Sequence, residues 1–264
     1  MSPNTQHPEP NTQKEASLAC FLSMLDSTEV YWLTQTFADV PQDDSWLSAK
    51  ERAFAGRMHF EKRRQDWRLG RWTAKQAMLH YLSLPSGHDQ ASRLEILAAA
   101  DGAPEAFLDG IPAPAALSIS HSAGIAFCAV AATGLALGCD LEEIRPREDN
   151  FAADYFTNEE LRLLEQAASR DRPLLITLIW SAKESALKAL RHGLRRDTRS
   201  VQVLLTEPGH DGWNSLAVLD LEFLRTLPGW WRTQGSHIQT VTTGLVTAPP
   251  REGLQPPAAQ RNKA

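Results

Sequence analysis

The chain has 264 residues, with 27 Lys and Arg against 32 Asp and Glu, a formal charge of −5 and 42% hydrophobic residues. That length and apolar content can bury a substantial core, as one large domain or two halves, whereas the acidic balance argues against bulk nucleic-acid binding, which needs a basic domain. The three cysteines (Cys20, Cys128, Cys139) include no Cys-x-x-Cys, so neither a disulfide framework nor a zinc site is indicated, and a reducing cytoplasm fits.

No segment is long and apolar enough to span a membrane. Residues 1–15 are Pro/Asn/Gln-rich without periodicity and read as a disordered tail. The short apolar run 16–25 follows a lone Lys14 set against Glu9 and Glu15. That is a poor signal-peptide start, and a short capping helix is expected instead. A strand is expected over 30–37, then a helix opening near Asp44 or Ser45, with Asp43 and Asp44 as start signals, and running to Gly56. A longer helix over 61–82 takes most of its apolar face from Trp67, Trp72, Ala74, Met78, Leu79 and Leu82. Arg52, Arg57, Lys62, Arg63, Arg64, Arg68, Arg71 and Lys75 crowd this stretch. For most of them a solvated helix face with pairs such as Glu61 to Gln65 is sufficient.

Strands are expected at 94–98, 116–120 and 125–131, with Thr133-Gly134 as a hairpin turn into 135–141. Thr157 and Glu160 form a capping box for a helix over 157–168, and a second helix is expected over 173–192. Strands follow at 201–205, 216–221 and 238–246, and the Pro-rich residues 248–264 read as a second tail. The order strand, helices, strands occurs twice. It suggests an α+β fold of two similar halves, 16–134 and 135–247, meeting near Thr133 to Gly138, although no sequence repeat is visible.

Two short segments concentrate the chemistry. In Gly138-Cys139-Asp140-Leu141-Glu142, the residues Leu135, Leu137, Cys139 and Leu141 alternate with Ala136, Gly138, Asp140 and Glu142. A strand would therefore place both carboxylates on one face, behind two small residues. In Trp180-Ser181-Ala182-Lys183-Glu184-Ser185-Ala186-Leu187-Lys188, Trp180, Glu184 and Lys188 recur at i, i+4, i+8 and form one helical stripe. Each half alone is weak, since Glu184 and Lys188 have the spacing of a surface salt bridge worth about 0.3–0.5 kcal/mol. Together, three carboxylates and a lysine on two elements could hold a hard divalent cation beside a phosphate, as magnesium prefers. Trp180 is expected to pack in the core, and Cys139 to be a small buried hydrophobe rather than a nucleophile.

In this order and spacing the two segments resemble the signature of the 4′-phosphopantetheinyl transferases, Gly-x-Asp-x-Glu followed some forty residues later by Trp-Ser-x-Lys-Glu-x-x-x-Lys, and the chain length suits the Sfp-type branch. Ser118-Ile119-Ser120-His121-Ser122 resembles the family's upstream Ser-His segment, so the likeness covers about residues 45–205 in motif order. Two departures stand out. Gly102-Ala103-Pro104 occupies the place of a Gly-Lys-Pro tripeptide, and Cys139 that of a branched aliphatic residue.

The resemblance implies two α+β halves related by a pseudo-twofold, with the active site in the cleft between them. It implies magnesium-dependent transfer (manganese as a substitute) of the phosphopantetheine arm of coenzyme A to a serine of an apo acyl, polyketide or peptidyl carrier protein. Adenosine 3′,5′-bisphosphate would be released. Asp140, Glu142 and Glu184 would hold the metal, Lys188 would neutralise the pyrophosphate, and Glu184 is the candidate base, directly or through a water. Lys62, Arg64, Arg71, Ser120 and His121, with Lys188, are the expected coenzyme A contacts, since arginine's planar fork suits phosphate oxygens. A cytoplasmic monomer binding neither nucleic acid nor membrane is expected. Two other readings stay open: a different metal-dependent phosphohydrolase or nucleotidyl transferase, and a non-catalytic anion-binding module. The basic run Arg191, His192, Arg195, Arg196, Arg199 suits either a helix C-terminus or a docking patch for an acidic partner.

Overall fold

The computed structural model describes residues 28–148, 150–206 and 212–253. The helix expected at 16–25, the tail 1–15 and residues 254–264 lie outside them. β1 (Val30–Thr36) sends Val30 and Trp32 into one apolar cluster and Tyr31 and Leu33 into another, as a strand between two layers must. α1 (Ala49–Ala55) starts later than expected, because Ser48 and Glu51 form the capping box. Asp43 accepts instead from the Ser45 amide, and Asp44 pairs with Arg68. α2 (Glu61–Tyr81) is the long helix of this half, followed by α3 (His88–Arg93).

β2 (Leu94–Ala98), β3 (Pro104–Leu108) and β4 (Ile111–Pro112) form a small antiparallel sheet. β5 (Ala115–Ser122) and β6 (Ile125–Ala132) form a hairpin closed by Ala123 and Gly124, both at positive φ. Thr133-Gly134 does make a turn, with Gly134 at φ +85°, but not a hairpin. It carries the chain out of the first sheet, since β6 pairs with β1 and β5, whereas β7 (Leu137–Glu143) pairs with β11 (His237–Thr243).

Between β7 and β11 come α4 (Phe151–Tyr155), α5 (Asn158–Gln166), α6 (Arg172–Ala189), β8 (Val201–Leu205), β9 (Asn214–Asp220) and β10 (Arg225–Gln234). The sheets are ordered β12-β1-β6-β5 and β7-β11-β10-β9-β8, where β12 (Arg251–Glu252) lies parallel to β1. Residues 248–253, read from sequence as the start of a tail, thus include two that rejoin the first sheet.

The fold is α+β in four layers. α2 packs on one face of the first sheet, where Trp72 and Met78 meet Leu33, Cys128 and Val130. α6 packs on one face of the second, where Ile179, Ala182 and Leu187 meet Val203, Val218 and Ile238. The remaining faces join, with Trp32, Phe127 and Ala129 against Leu137, Cys139, Leu141 and Val241.

Both long helices are anchored by the same device. The Glu51 carboxylate closes the α1 capping box, accepts from the Ile96 amide and pairs with buried Lys75, which also donates to the carbonyls of Trp46 and Ala91. Glu160 closes the α5 box, accepts from the Val203 amide and pairs with buried Lys183, which donates to the carbonyls of Thr198 and Val201. Burial lowers the pKa of both lysines, and the facing glutamates oppose that shift.

Candidate active site

The site forms where β7 meets α6. Leu137, Cys139 and Leu141 enter the central core, so Gly138, Asp140 and Glu142 face the other way, as their alternation required. A Cβ on Gly138 would lie 1.9 Å from the Ser185 carbonyl oxygen and 2.5 Å from the Ala189 nitrogen. Glycine therefore permits the backbones of strand and helix to touch. Buried hydroxyls set the register of α6 on β11: Ser181 with Thr240 at 2.9 Å and Ser185 with Thr242 at 2.7 Å. This seam brings Glu184 and Lys188 beside Asp140.

Asp140 is 3% exposed. Its Oδ1 accepts from Ser120 Oγ at 2.8 Å and from Lys188 Nζ at 2.8 Å, while its buried Oδ2 has no partner. Lys188 also donates to the Cys139 carbonyl. Burial alone would lower the Lys188 pKa, but the Asp140 carboxylate bonded to it, with Glu184 beside it, leaves it raised. The lysine thus reaches across to β7 rather than serving as an i, i+4 partner on the helix surface.

Glu184 is buried, and its Oε1 has no partner either. Burial, reinforced by Asp140 and Glu142 and opposed by Lys188, pushes its carboxyl up to about 7. Glu142 is differently placed. Its Oε1 accepts from the Trp180 indole at 3.1 Å and its Oε2 from Arg147 at 2.7 Å. Trp180 is therefore only half-buried and holds an acidic side chain, where core packing alone was expected. Cys139 fits its expected role, buried with its thiol pushed up to about 11 by desolvation.

Among the described residues no three His, Cys, Asp or Glu side chains are gathered closely enough to hold a metal ion. The unpartnered oxygens of Asp140 and Glu184 nevertheless fit magnesium, which takes one or two carboxylates and completes its octahedron with water and phosphate oxygens.

The expected coenzyme contacts divide. Lys62, Arg71 and His121 line one cavity of about 730 Å³, together with Arg63, Phe54 and Trp67. The Arg71 guanidinium lies 5.1 Å from the Trp67 ring centre, and the Arg71 Nε and Trp67 Nε1 donors are buried without partners. Arg64 is absent from that lining and pairs with Glu61 at 2.7 Å. Ser120 is buried and spends its hydroxyl on Asp140. Of the other basic residues in this stretch, Lys75, Arg68 and Arg52 serve the protein itself, through Glu51, Asp44 and the Leu47 carbonyl.

A second cavity, also about 730 Å³, adjoins the first through Gly102, Pro104 and Ile119, and Lys188 and Arg191 line it. Arg191 pairs there with Asp101 and Glu105, tying the end of α6 to β3 and the loop before it, and holds the Asp101 carboxyl down to about 2. Arg196 and Arg199 are likewise held by Asp220 and Asp197, so much of the second basic run is neutralised internally. The sequence does not single out Arg147, and it marks Trp67 and Ser118 only as part of a helix's apolar face and of the Ser-His segment. The Ser118 hydroxyl accepts from the Cys139 amide and joins the edge of β5 to β7. Only the Trp67–Arg71 pair, at i, i+4 on a helix, left a readable spacing.

Residues 136–240 match the sequence profile of the 4′-phosphopantetheinyl transferase superfamily. The matched segment is less than half of the chain. Of the residues described above, the superfamily segment holds Asp140, Glu142, Arg147, Glu184 and Lys188, whereas Lys62, Arg64, Arg71, Ser120 and His121 precede it. Among solved structures, the chain is similar to a holo-(acyl-carrier-protein) synthase from Bacillus anthracis str. Ames in complex with CoA (3′,5′-ADP). The identity is 19% and the TM-score 0.34, over 40% of this chain and 95% of that one. No curated protein matches the sequence. No helix among the described residues is long and apolar enough to cross a membrane.

Proposed function

We propose that this chain transfers the 4′-phosphopantetheine arm of coenzyme A to a serine hydroxyl of an apo carrier protein, with magnesium, releasing adenosine 3′,5′-bisphosphate. The observation that carries this reading is the junction of β7 and α6. There, inside the superfamily segment, two buried carboxylates each keep an oxygen free of protein partners, with the Lys188 ammonium bonded to one of them. Asp140 and Glu184, with Glu142 beside them, would hold the magnesium. When bound, it would supply positive charge to the pyrophosphate and fix its oxygens.

The reaction needs little covalent chemistry from the protein and much positioning and charge neutralisation. The serine oxygen attacks the pantetheine-side phosphorus, the bond from that phosphorus to the bridging oxygen breaks, and the electron pair leaves on the nucleotide phosphate. Lys188, part-exposed at the cleft, donates to the pyrophosphate oxygens as charge develops there. Glu184, whose carboxyl burial raises to about 7 before any cation binds, would accept the serine proton, directly or through a water. Lys62, Arg63 and Arg71, against the single carboxylate Asp66 and with His121 as a further polar group, give the adjoining cavity the net positive lining a 3′-phosphate needs in a protein of net negative charge.

The twin anchors Glu51–Lys75 and Glu160–Lys183 support reading the chain as two similar halves, 16–134 and 135–247, with the cleft between them. One chain supplies both walls, which supports a monomer, and buried free Cys128 and Cys139 suit a cytoplasmic setting. The test is the intact mass of an apo carrier protein incubated with this chain, coenzyme A and magnesium. One added phosphopantetheine on serine supports the reading. Coenzyme cleavage without a carrier would point instead to a phosphohydrolase, and binding without turnover to an anion-binding module.

A further inference from the structure

Of the three carboxylates at the site, Glu142 alone has both oxygens occupied, and one of its two partners is a cation. Arg147 Nη2 donates to Oε2 at 2.7 Å, with side chains only 13% and 23% exposed, so bulk water screens the pair weakly. Arg147 sits in the irregular segment between β7 and α4, so its side chain can move without unravelling an element. Its hold is narrow: one nitrogen on one oxygen, a guanidinium 5.1 Å from the Phe151 ring centre, and a buried Nε with no partner. The structural cations differ. Lys75 and Lys183 each bond a carboxylate and two carbonyls, and Arg196 grips Asp220 with two nitrogens.

We propose that Arg147 competes with the divalent cation for Glu142, so that cation entry and release of Arg147 are one coupled event. This rests on reading the site as a magnesium site. A hard cation and a guanidinium both want the same carboxylate oxygen, and two cations sharing it would repel each other. With Arg147 gone, Lys188, bonded to Asp140, is the one cation held by the three carboxylates Asp140, Glu142 and Glu184, and a divalent ion supplies the positive charge that lets all three ionise. Trp180, bonded to the other Glu142 oxygen, keeps that carboxylate aimed while its partner is exchanged.

The experiment is Mn²⁺ binding without coenzyme, read by the electron paramagnetic resonance of the free ion, for the wild type, Arg147→Gln, Glu142→Gln and the double variant. Arg147→Gln should bind Mn²⁺ about 5- to 50-fold more tightly, and the gain should vanish in the Glu142→Gln background, as for two groups coupled through one contact. Equal affinities would overturn the proposal. So would a gain that survives Glu142→Gln, because a general charge effect does not need that carboxylate. In the wild type, the Arg147 Nε–H resonance, assigned by its selective loss from an otherwise unchanged spectrum in Arg147→Lys, should move on adding Mg²⁺, and a resonance that stays fixed counts against release. If none of the four proteins binds Mn²⁺ the coupling is wrong, and magnesium-dependent transfer by the wild type in that case would leave the proposed function standing.

Discussion

At the residue scale, Glu184 is asked to do two things that pull against each other. As a cation ligand it should be ionised, and as a base it should hold a proton readily. Its surroundings favour the second, since burial and the Asp140 charge push the carboxyl from 4.5 to about 7. Glu184→Gln keeps the shape and one neutral oxygen, so lost affinity for the metal alone is recoverable by mass action, whereas a lost proton acceptor is not. The expected outcome is a transfer rate down ~10²–10⁴-fold at every magnesium or manganese concentration. Full rescue at high metal would leave Glu184 a ligand only. The raised pKa also has a sign for stability without metal. The folded protein keeps this proton to higher pH than the unfolded chain, so between about 4.5 and 7 it binds more protons, and stability falls as pH rises through that window. The Gln variant lacks this loss. Its unfolding free energy should therefore gain on that of the wild type between pH 5 and pH 8, by an amount on the order of 2 kcal/mol, read from denaturant unfolding at each pH. A constant difference across that range would show that Glu184 titrates normally.

At the element scale, one contact decides whether the two motifs meet. Strand β7 and helix α6 touch backbone to backbone at Gly138, with no room for a Cβ beside the Ser185 carbonyl. Gly138→Ala should destabilise the protein by about 1–3 kcal/mol or more, as overpacking against fixed backbone does. It should also depress transfer beyond what thermal melting explains, because Asp140 is carried away from Lys188. Normal activity and melting would mean the strand can slide. The motif's glycine was legible as small, but its reason was not, because alternation specifies which face a strand buries and says nothing of what lies against it. The same limit explains why 135–141 read as the second arm of a hairpin. Period-two patterning fixes the faces of β6 and β7, while the pairing of β7 with β11 is set a hundred residues away. β10 was hidden by Pro228 and Gly229, poor strand formers in sequence, yet Gly229 is needed where a Cβ would lie 2.6 Å from the Val241 carbonyl. The Thr157 box was readable because nothing competed with it, whereas Asp43 and Asp44 offered an earlier start signal than Ser48. Arg147, five residues from Glu142 in a loop, left no periodic trace at all.

At the scale of the molecule, the cleft draws its two kinds of charge from two parts of the chain. The carboxylates and Lys188 come from β7 and α6, and in the cavity lining the cations Lys62, Arg63 and Arg71 come from α2 and the donor His121 from β5. If the second group meets the 3′-phosphate and the first the pyrophosphate, the two should respond differently to a donor lacking the 3′-phosphate. Arg71→Met keeps much of the apolar stem against Trp67 while removing the fork. With coenzyme A it should raise KM at least tenfold with little change in kcat, since a contact made equally in ground and transition states appears in KM alone. With 3′-dephospho-coenzyme A, wild type and Arg71→Met should perform alike, because the group that Arg71 would bind is already missing. Lys188→Met should behave in the opposite way, slowing turnover of both donors, because the pyrophosphate is present in each and the charge on it grows in the transition state. His121→Ala should follow Arg71 rather than Lys188. Equal penalties for Arg71→Met on the two donors would remove the 3′-phosphate from that cavity. They would leave it to the pantetheine or the adenine, while the division of labour at Asp140, Glu184 and Lys188 would be untouched by that result.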